Sequence, residues 1–293
     1  MHRINYVNRR TGEIEVESPP SEDFLRFLYH NPFGNLSLSL LIKHKFLSAF
    51  YGYLMDSSRS CKKIQPFIKD YAIDMTESIK PVTEFTSFND FFCRKLKPVR
   101  RNIQAGFVSP ADGKVIAFED IASLGKFFVK GRKFNLIEFL NNNKLAKKYK
   151  KSSLILIRLA PHDYHRFHFP YAGQPSEVTK IKGSYFSVSP YATLENFAKV
   201  FCENKREYTI LKTEDKGDIL ISPVGATMVG RILVTFKANT DVEKGAEMGY
   251  FAFGGSSILL LIDQSKIKID VDILKNTQNG LETSILMGEK MGV

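Results

Sequence analysis

Apolar and polar positions along the chain follow two different rhythms, and the change falls near residue 100. The first 20 residues are polar and alternate weakly, the pattern of a hairpin. The most apolar early stretch, Leu36–Met55, sets Leu36, Leu40, Leu47, Tyr51 and Leu54 near helical spacing. That spacing predicts an amphipathic helix, packed on the core or lying on a membrane surface. Lys43, His44 and Lys45 interrupt it, leaving only Leu40–Ile42 unbroken, far short of the roughly 20 apolar residues a spanning helix needs. From Asp56 to about Arg94 the text stays helical, with Ser87-Phe88-Asn89-Asp90 as a start signal before Phe91-Phe92. Beyond Pro98, short β-rich runs stand between Gly, Pro and Asp: Gly113–Ile116, Leu154–Ile157, Asp218–Ile221, Ile232–Phe236 and Ile258–Ile262. Each has the length and flanks of a strand. The pattern predicts an α+β protein, with a largely helical N-terminal region over 1–100 and a β-rich body over 101–293.

Composition narrows this picture. With 43% apolar and 25% charged residues among 293, the chain can bury a sizeable core, which excludes wholesale disorder. Three cysteines, Cys61, Cys93 and Cys202, are odd in number and far apart. They exclude a disulfide scaffold and a CxxC metal knuckle, and they suit a reducing compartment. No signal-peptide pattern opens the chain. The net charge of +11 calls for an anionic partner: nucleic acid, acidic lipid or a phosphorylated substrate. Gly125–Lys151 holds nine Lys or Arg against the single acid Glu138, interleaved with Phe127, Phe128, Phe134, Phe139 and Leu140. It reads either as a solvated helix over core aromatics or as a basic-aromatic face for an anionic surface.

Three segments could carry chemistry. His162, His165 and His168 fall within Pro161–Pro170. Their spacing would roughly align three rings on a helix, and imidazole is a common zinc ligand. The flanking prolines and the preceding strand favour an extended segment instead. No carboxylate or thiol cluster offers a fourth ligand, so no metal is expected. On an extended segment His165 and His168 face opposite sides and can do different jobs; the alternative is that either ring is simply hydrogen-bonded in the core. Ser109-Pro-Ala-Asp112-Gly113 is a turn signature, and a carboxylate fixed there could orient an imidazole. Phe253-Gly254-Gly255-Ser256-Ser257 reads as a Gly/Ser hairpin turn and departs from the Gly-x-Ser-x-Gly elbow, because Ile stands at 258. Glycine directly before serine has a specific use, however. A hydroxyl can approach the unhindered Gly255 carbonyl and shift the acyl group from nitrogen to oxygen.

Taken in order, these motifs resemble the phosphatidylserine decarboxylase family. The likeness runs from about Phe85 onward through Phe88-Asn-Asp-Phe-Phe-x-Arg94, Ser109-Pro-Ala-Asp112-Gly and Ala160-Pro-x-Asp163-Tyr-His165-Arg-x-His168-x-Pro170. It continues through Phe186-Ser-Val188, Asn204-Lys-Arg206-Glu, Val224-Gly-Ala-Thr-Met-Val-Gly230 and Lys244-Gly-x-Glu-Met-Gly249-x-Phe-x-Phe253-Gly-Gly-Ser256. The resemblance implies self-cleavage between Gly255 and Ser256, giving a large subunit 1–255 and a small subunit 256–293 whose first residue, Ser256, becomes a covalent pyruvoyl group. Ser256 is preferred to Ser257 because only Ser256 follows glycine; the family often has Thr at the next position. It further implies a triad of Asp112, His168 and Ser256 for cleavage, with His165 handling substrate. The pyruvoyl group would serve as electron sink for decarboxylation of phosphatidylserine to phosphatidylethanolamine.

The same likeness implies a barrel-sandwich-hybrid-like core in the catalytic body, and a homodimer. A lipid substrate implies a peripheral enzyme on the cytoplasmic side of an anionic cell membrane, docked by Leu36–Met55 or Gly125–Lys151. Two other classes remain alternatives. A non-catalytic barrel-sandwich carrier would need a Met-Lys-Met hairpin, which this chain lacks. Nucleic-acid binding rests on charge alone, without a recognised motif.

Overall fold

The computed structural model describes residues 4–17, 52–124, 133–184, 186, 188, 190–225, 231–252, 254 and 256–293. The expected N-terminal hairpin is there as β1 (Ile4–Asn8) and β2 (Ile14–Glu17). Most of Leu36–Met55 and the first part of Gly125–Lys151 lie outside the described residues. From 52 to 100 the chain is built of short helical turns, including α1 (Ile64–Asp70) and α2 (Phe88–Phe92). The start signal works as read: the Ser87 side chain accepts from the Asp90 amide at 3.1 Å and caps α2. Phe88, Phe91 and Phe92 then fall on one side and pack with Met55, Ile64 and Phe85 into a small aromatic core of their own.

The body is β-rich. Its strands are β3 (Phe107–Val108), β4 (Gly113–Phe118), β5 (Ser152–Leu159), β6 (Arg166–His168), β7 (Gln174–Pro175), β8 (Thr179–Ile181), β9 (Arg206–Lys212), β10 (Asp218–Gly225), β11 (Ile232–Val234), β12 (Glu247–Phe251), β13 (Ser256–Asp263), β14 (Glu282–Ile285) and β15 (Lys290–Gly292). A ten-stranded sheet runs β2-β1-β14-β4-β5-β13-β10-β9-β7, with β8 also on β9; β11-β12-β6 and β15-β3 form two smaller sheets. All pairs are antiparallel except β1 with β14. Among the described residues the large sheet has two free ends and does not close.

Both faces of its centre are buried, which explains the unbroken apolar runs at Leu154–Ile157 and Ile258–Ile262. Alternation sends Val115, Ile157, Ile258 and Leu260 into a core shared with Phe167, Phe169 and Phe251 of the three-stranded sheet. The intervening Ile116, Leu156, Leu259 and Leu261 face α3 (Leu136–Leu140) and α4 (Pro190–Glu203), meeting Phe139, Phe197 and Phe201. Arg206 closes the end of α3 by donating at 2.7 Å to the Glu138 and Phe139 carbonyls. The hairpin is fixed by charge as well as by its ladder. Buried Arg158 on β5 donates to Glu17 of β2 and to Glu282 of β14. Breaking such a pair from one side costs about 3–5 kcal/mol.

Candidate active site

Strand β5 ends at Leu159, and Ala160–His165 turns the chain toward β6. Asp163 holds that turn. Its amide donates to the Ala160 carbonyl at 2.9 Å, and its carboxylate accepts the Ala160 amide at 2.7 Å. Lys114 Nζ stands 3.5 Å from one carboxylate oxygen and His162 Nε2 3.6 Å from the other. Burial opposes ionisation here, yet Lys114 and His162 hold the Asp163 carboxyl below its usual range. The three histidines have separate surroundings. His162 stacks on Tyr71 at 5.2 Å, whereas His165 and His168 are buried. Among the described residues no three His, Cys, Asp or Glu side chains assemble as a metal-ligand set.

His165 Nδ1 lies 2.9 Å from the Asp163 carbonyl oxygen. A carbonyl only accepts, so Nδ1 carries the proton and Nε2 is a bare lone pair. That Nε2 is buried without a partner. The Phe92 ring covers the imidazole, with centroids 3.9 Å apart and planes 37° from parallel. Burial pushes the imidazole down to about 3, so His165 is neutral throughout the physiological range. His168 is engaged at both nitrogens: Nδ1 donates to the Gly245 carbonyl at 2.9 Å, and Nε2 accepts from the Tyr164 hydroxyl at 3.1 Å. Its ring is also lowered by burial.

The His168 amide donates to the Pro110 carbonyl at 2.8 Å, which sets β6 against the turn that carries Asp112. The Asp112 carboxylate is nonetheless occupied elsewhere. Arg101 grips it with Nε at 2.9 Å and Nη2 at 2.6 Å, and the Met287 amide adds a bond of 2.8 Å. Full burial raises the Asp112 carboxyl, while Arg101 pulls it down. Gly113 is required by close approach, since a Cβ there would stand 2.5 Å from the Arg158 carbonyl oxygen.

Ser256 opens β13, in register with Leu159 of β5 and Gly225 of β10. By alternation it shares the face of Ile258 and Leu260, the face that meets Phe167 and Phe251. Ser257 takes the opposite face, beside Arg158. Both hydroxyl oxygens are buried without a hydrogen-bond partner. An unmet buried polar atom costs about 1–3 kcal/mol, so its persistence calls for a reason. Gly255 lies outside the described residues. Asn204 secures the facing strand end: its side chain donates to the Gly225 carbonyl at 2.9 Å and to the Phe186 carbonyl at 2.8 Å.

Thus His165, Asp163 and Phe92 come together around one ring, and Asp112 is clasped by Arg101, not by His168. Asp163, Tyr164 and Phe92 stand within the motifs quoted above without a role assigned to them, and Arg101 lies outside those motifs. Arg101 had no local signal beyond the charged run Lys97-Pro-Val-Arg-Arg101.

The sequence pattern of the family described as phosphatidylserine decarboxylase matches residues 88–293. A relative in Fusobacterium nucleatum is 52% identical over 293 residues, covering 99% of this chain and 97% of its own length. Relatives in Clostridium tetani and Desulfitobacterium hafniense are 46% and 44% identical over 292 and 293 residues, each covering 99% of this chain and 98% of their own. All three bear the name phosphatidylserine decarboxylase proenzyme. The chain belongs to the phosphatidylserine decarboxylase family.

Proposed function

We propose that this chain is a proenzyme that cleaves itself between Gly255 and Ser256, and whose processed form decarboxylates phosphatidylserine to phosphatidylethanolamine. The observation that carries this reading is the Ser256 hydroxyl, buried and unpartnered at the head of β13. In the first step an imidazole takes the Ser256 hydroxyl proton. The oxygen bonds to the Gly255 carbonyl carbon, the peptide C–N bond breaks, and the released nitrogen is protonated. Elimination then frees the Gly255 carboxylate, and hydrolysis with loss of ammonia leaves a pyruvoyl group at position 256. A side chain at 256 already faces a water-poor core, shared with Phe167 and Phe251, which suits such a group. Once formed, the group supplies an electron sink for loss of CO₂. The chain's own residues exclude water, hold the headgroup and return a proton.

Asp112, His168 and Ser256 serve cleavage in the reading drawn from the family likeness, with His165 handling substrate. The abutment of β6 on the Pro110 turn supports that grouping. One observation favours a second reading, in which His165 accepts the serine proton: its Nε2 is unpartnered, whereas Tyr164 occupies the Nε2 of His168. The intact mass of purified protein tests the main proposal. Two fragments are expected, 1–255 and 256–293, the smaller without a free amino terminus; a single unmodified chain from active cells would sink it. His168→Ala and His165→Ala, scored for cleavage, separate the two readings.

The finer architecture belongs to the same proposal. Two small sheets face the large one across a shared core, which supports a barrel-sandwich-hybrid-like catalytic unit over 101–293. Within residues 1–100 the turns from 52 to 100 and their separate aromatic cluster support a helical region, whereas the β1–β2 hairpin joins the large sheet of the body. A lipid substrate brings the site to an anionic membrane, on its cytoplasmic face as a peripheral enzyme, and a homodimer accords with the family likeness. Among the described residues no helix is long and apolar enough to cross a membrane.

A further inference from the structure

The helical region does more than sit beside the β-rich body. Four contacts from the end of α2 and the two residues after it reach the body, three of them on the segment that carries the histidines and one on β12. The Phe92 ring lies on the His165 imidazole at 3.9 Å. The Cys93 carbonyl accepts from Arg166 Nε at 2.9 Å, and the Cys93 thiol donates to the Phe251 carbonyl at 3.2 Å. Arg94 Nη2 donates to the His162 carbonyl at 3.2 Å. Phe251 in turn donates its amide to the His165 carbonyl at 3.0 Å, so one clamp grips this residue's ring and its backbone from two sides.

We propose that Phe92 is a positioning residue of the reaction centre: delivered by the N-terminal region, its ring packs on His165, shields the imidazole from water and keeps Nε2 a buried, bare lone pair. The proposal rests on the decarboxylase reading and extends it to a residue outside the histidine, aspartate and serine motifs. The physical case is one of access. Phe92 and His165 are both fully buried, and among the described residues the only hydrogen bond to the His165 ring is at Nδ1, on the side of its own loop. Nothing polar compensates a charge at Nε2. The charged and titratable groups around the ring are Asp163 and His162 on its own loop and Arg94 beyond Phe92. Strand β12 contributes Glu247, which Arg166 neutralises at 2.9 Å. Asp163 would favour protonation, while Arg94 and His162 oppose it. Exclusion of water therefore decides the outcome, and the ring that excludes it on this side is Phe92.

The test compares wild type with Phe92→Leu, Phe92→Ala and Phe85→Leu. Phe85 belongs to the same aromatic cluster, where its ring meets Phe91. Two quantities are read: the titration of His165 by NMR of histidine-labelled protein, and the pH dependence of kcat on phosphatidylserine in neutral detergent micelles. Both Phe92 variants should raise the His165 titration by at least two pH units, a hundredfold or greater gain in proton affinity. They should also bring a new acid limb of kcat into the range between about pH 5 and 7. Phe85→Leu should move neither. An unmoved titration in the Phe92 variants, or an equal shift in Phe85→Leu, overturns the proposal by reducing Phe92 to ordinary packing. If Phe92→Ala fails to fold, Phe92→Leu, which keeps most of the volume, carries the test alone. Failure of the decarboxylase reading would show as absent activity in wild type, while the NMR titration would still score Phe92.

Discussion

Strands β5 and β13 run side by side from one end of the molecule to the other, and their two ends contrast sharply. At one end stand Leu159 and Ser256, paired; at the other stand Ser152 and Asp263, also paired. Seven residue steps at about 3.3 Å each separate them by about 23 Å. Around the Ser256 end, Arg94 Nη1, His162 Nδ1, His165 Nε2 and both serine hydroxyls are buried without partners. At the Ser152 end the polar atoms are met: the Ser153 hydroxyl donates to the Glu119 carbonyl at 3.0 Å, Tyr149 reaches the Asp218 carbonyl at 3.3 Å, and Lys148 pairs with Asp218. The end that obeys the rules of polar satisfaction is scaffold. The end that breaks them is where chemistry is expected. The contrast also bears on docking. Lys144, Lys147, Lys150 and Lys151 cluster near the satisfied end, whereas the helical region touches His165 directly through Phe92.

Removing the Ser256 hydroxyl should break the contrast most completely. Ser256→Ala is expected to abolish cleavage while leaving the thermal midpoint within a few degrees, because the lost oxygen has no partner to abandon; mass and melting together check it. Next in size, Arg101→Gln leaves the Asp112 carboxylate buried without its counter-ion. A loss of about 3–5 kcal/mol in denaturant unfolding is expected, together with slowed cleavage. Arg158→Met at the next strand should cost a similar amount but leave the rate of cleavage per folded molecule unchanged, which separates charge burial from chemistry.

A smaller effect concerns pH. His165 is neutral when folded, with its proton affinity pushed down to about 3, whereas in the unfolded chain it titrates near 6.5. Below that higher value the unfolded state binds the extra proton, so stability falls as pH falls. The slope is about 1.4 kcal/mol per pH unit at most, between roughly pH 6.5 and 3. His165→Phe should flatten that limb in a series of unfolding curves. The least effect is expected from changing Lys144, Lys147, Lys148, Lys150 and Lys151 together to Gln. Stability should shift by a few tenths of a kcal/mol per site at most, and cleavage should be unaffected. Vesicle co-sedimentation with acidic lipid at low and high salt would show whether the cluster contributes any screened attraction. Unchanged binding would make it a solvated face.

Much of this was legible in the residues. Four of the apolar runs are strands of the large sheet, whose centre is covered on both faces, which removes the need for polar positions; the fifth, Ile232–Phe236, forms only the short edge strand β11 (Ile232–Val234) of the three-stranded sheet. Ser87 is a cap, and the first residues form a hairpin. What escaped was set by contacts between distant segments. Arg101 reaches Asp112, Phe92 reaches His165, and Glu17 and Glu282 converge on Arg158. None of these pairs leaves a mark in local spacing. The basic run announced its charge plainly, yet only the strand register shows that its last residue, Lys151, adjoins the Ser152 end of β5, about 23 Å along the strands from the Ser256 end.

The strand order has one further consequence. A cut before Ser256 would leave β13 between β5 and β10, and β14 between β1 and β4, while β15 stays on β3. The shorter piece is thus woven through the middle of the longer one and cannot leave without dismantling the sheet. Before the cut, folding is a unimolecular event in which every strand is tethered to its neighbours. After it, regaining the same weave would require two separate chains to find each other, at a rate that depends on dilution. Unfolding would then become a one-way door, and the working lifetime of the mature protein would be governed by how fast it opens, not by how favourably it once closed.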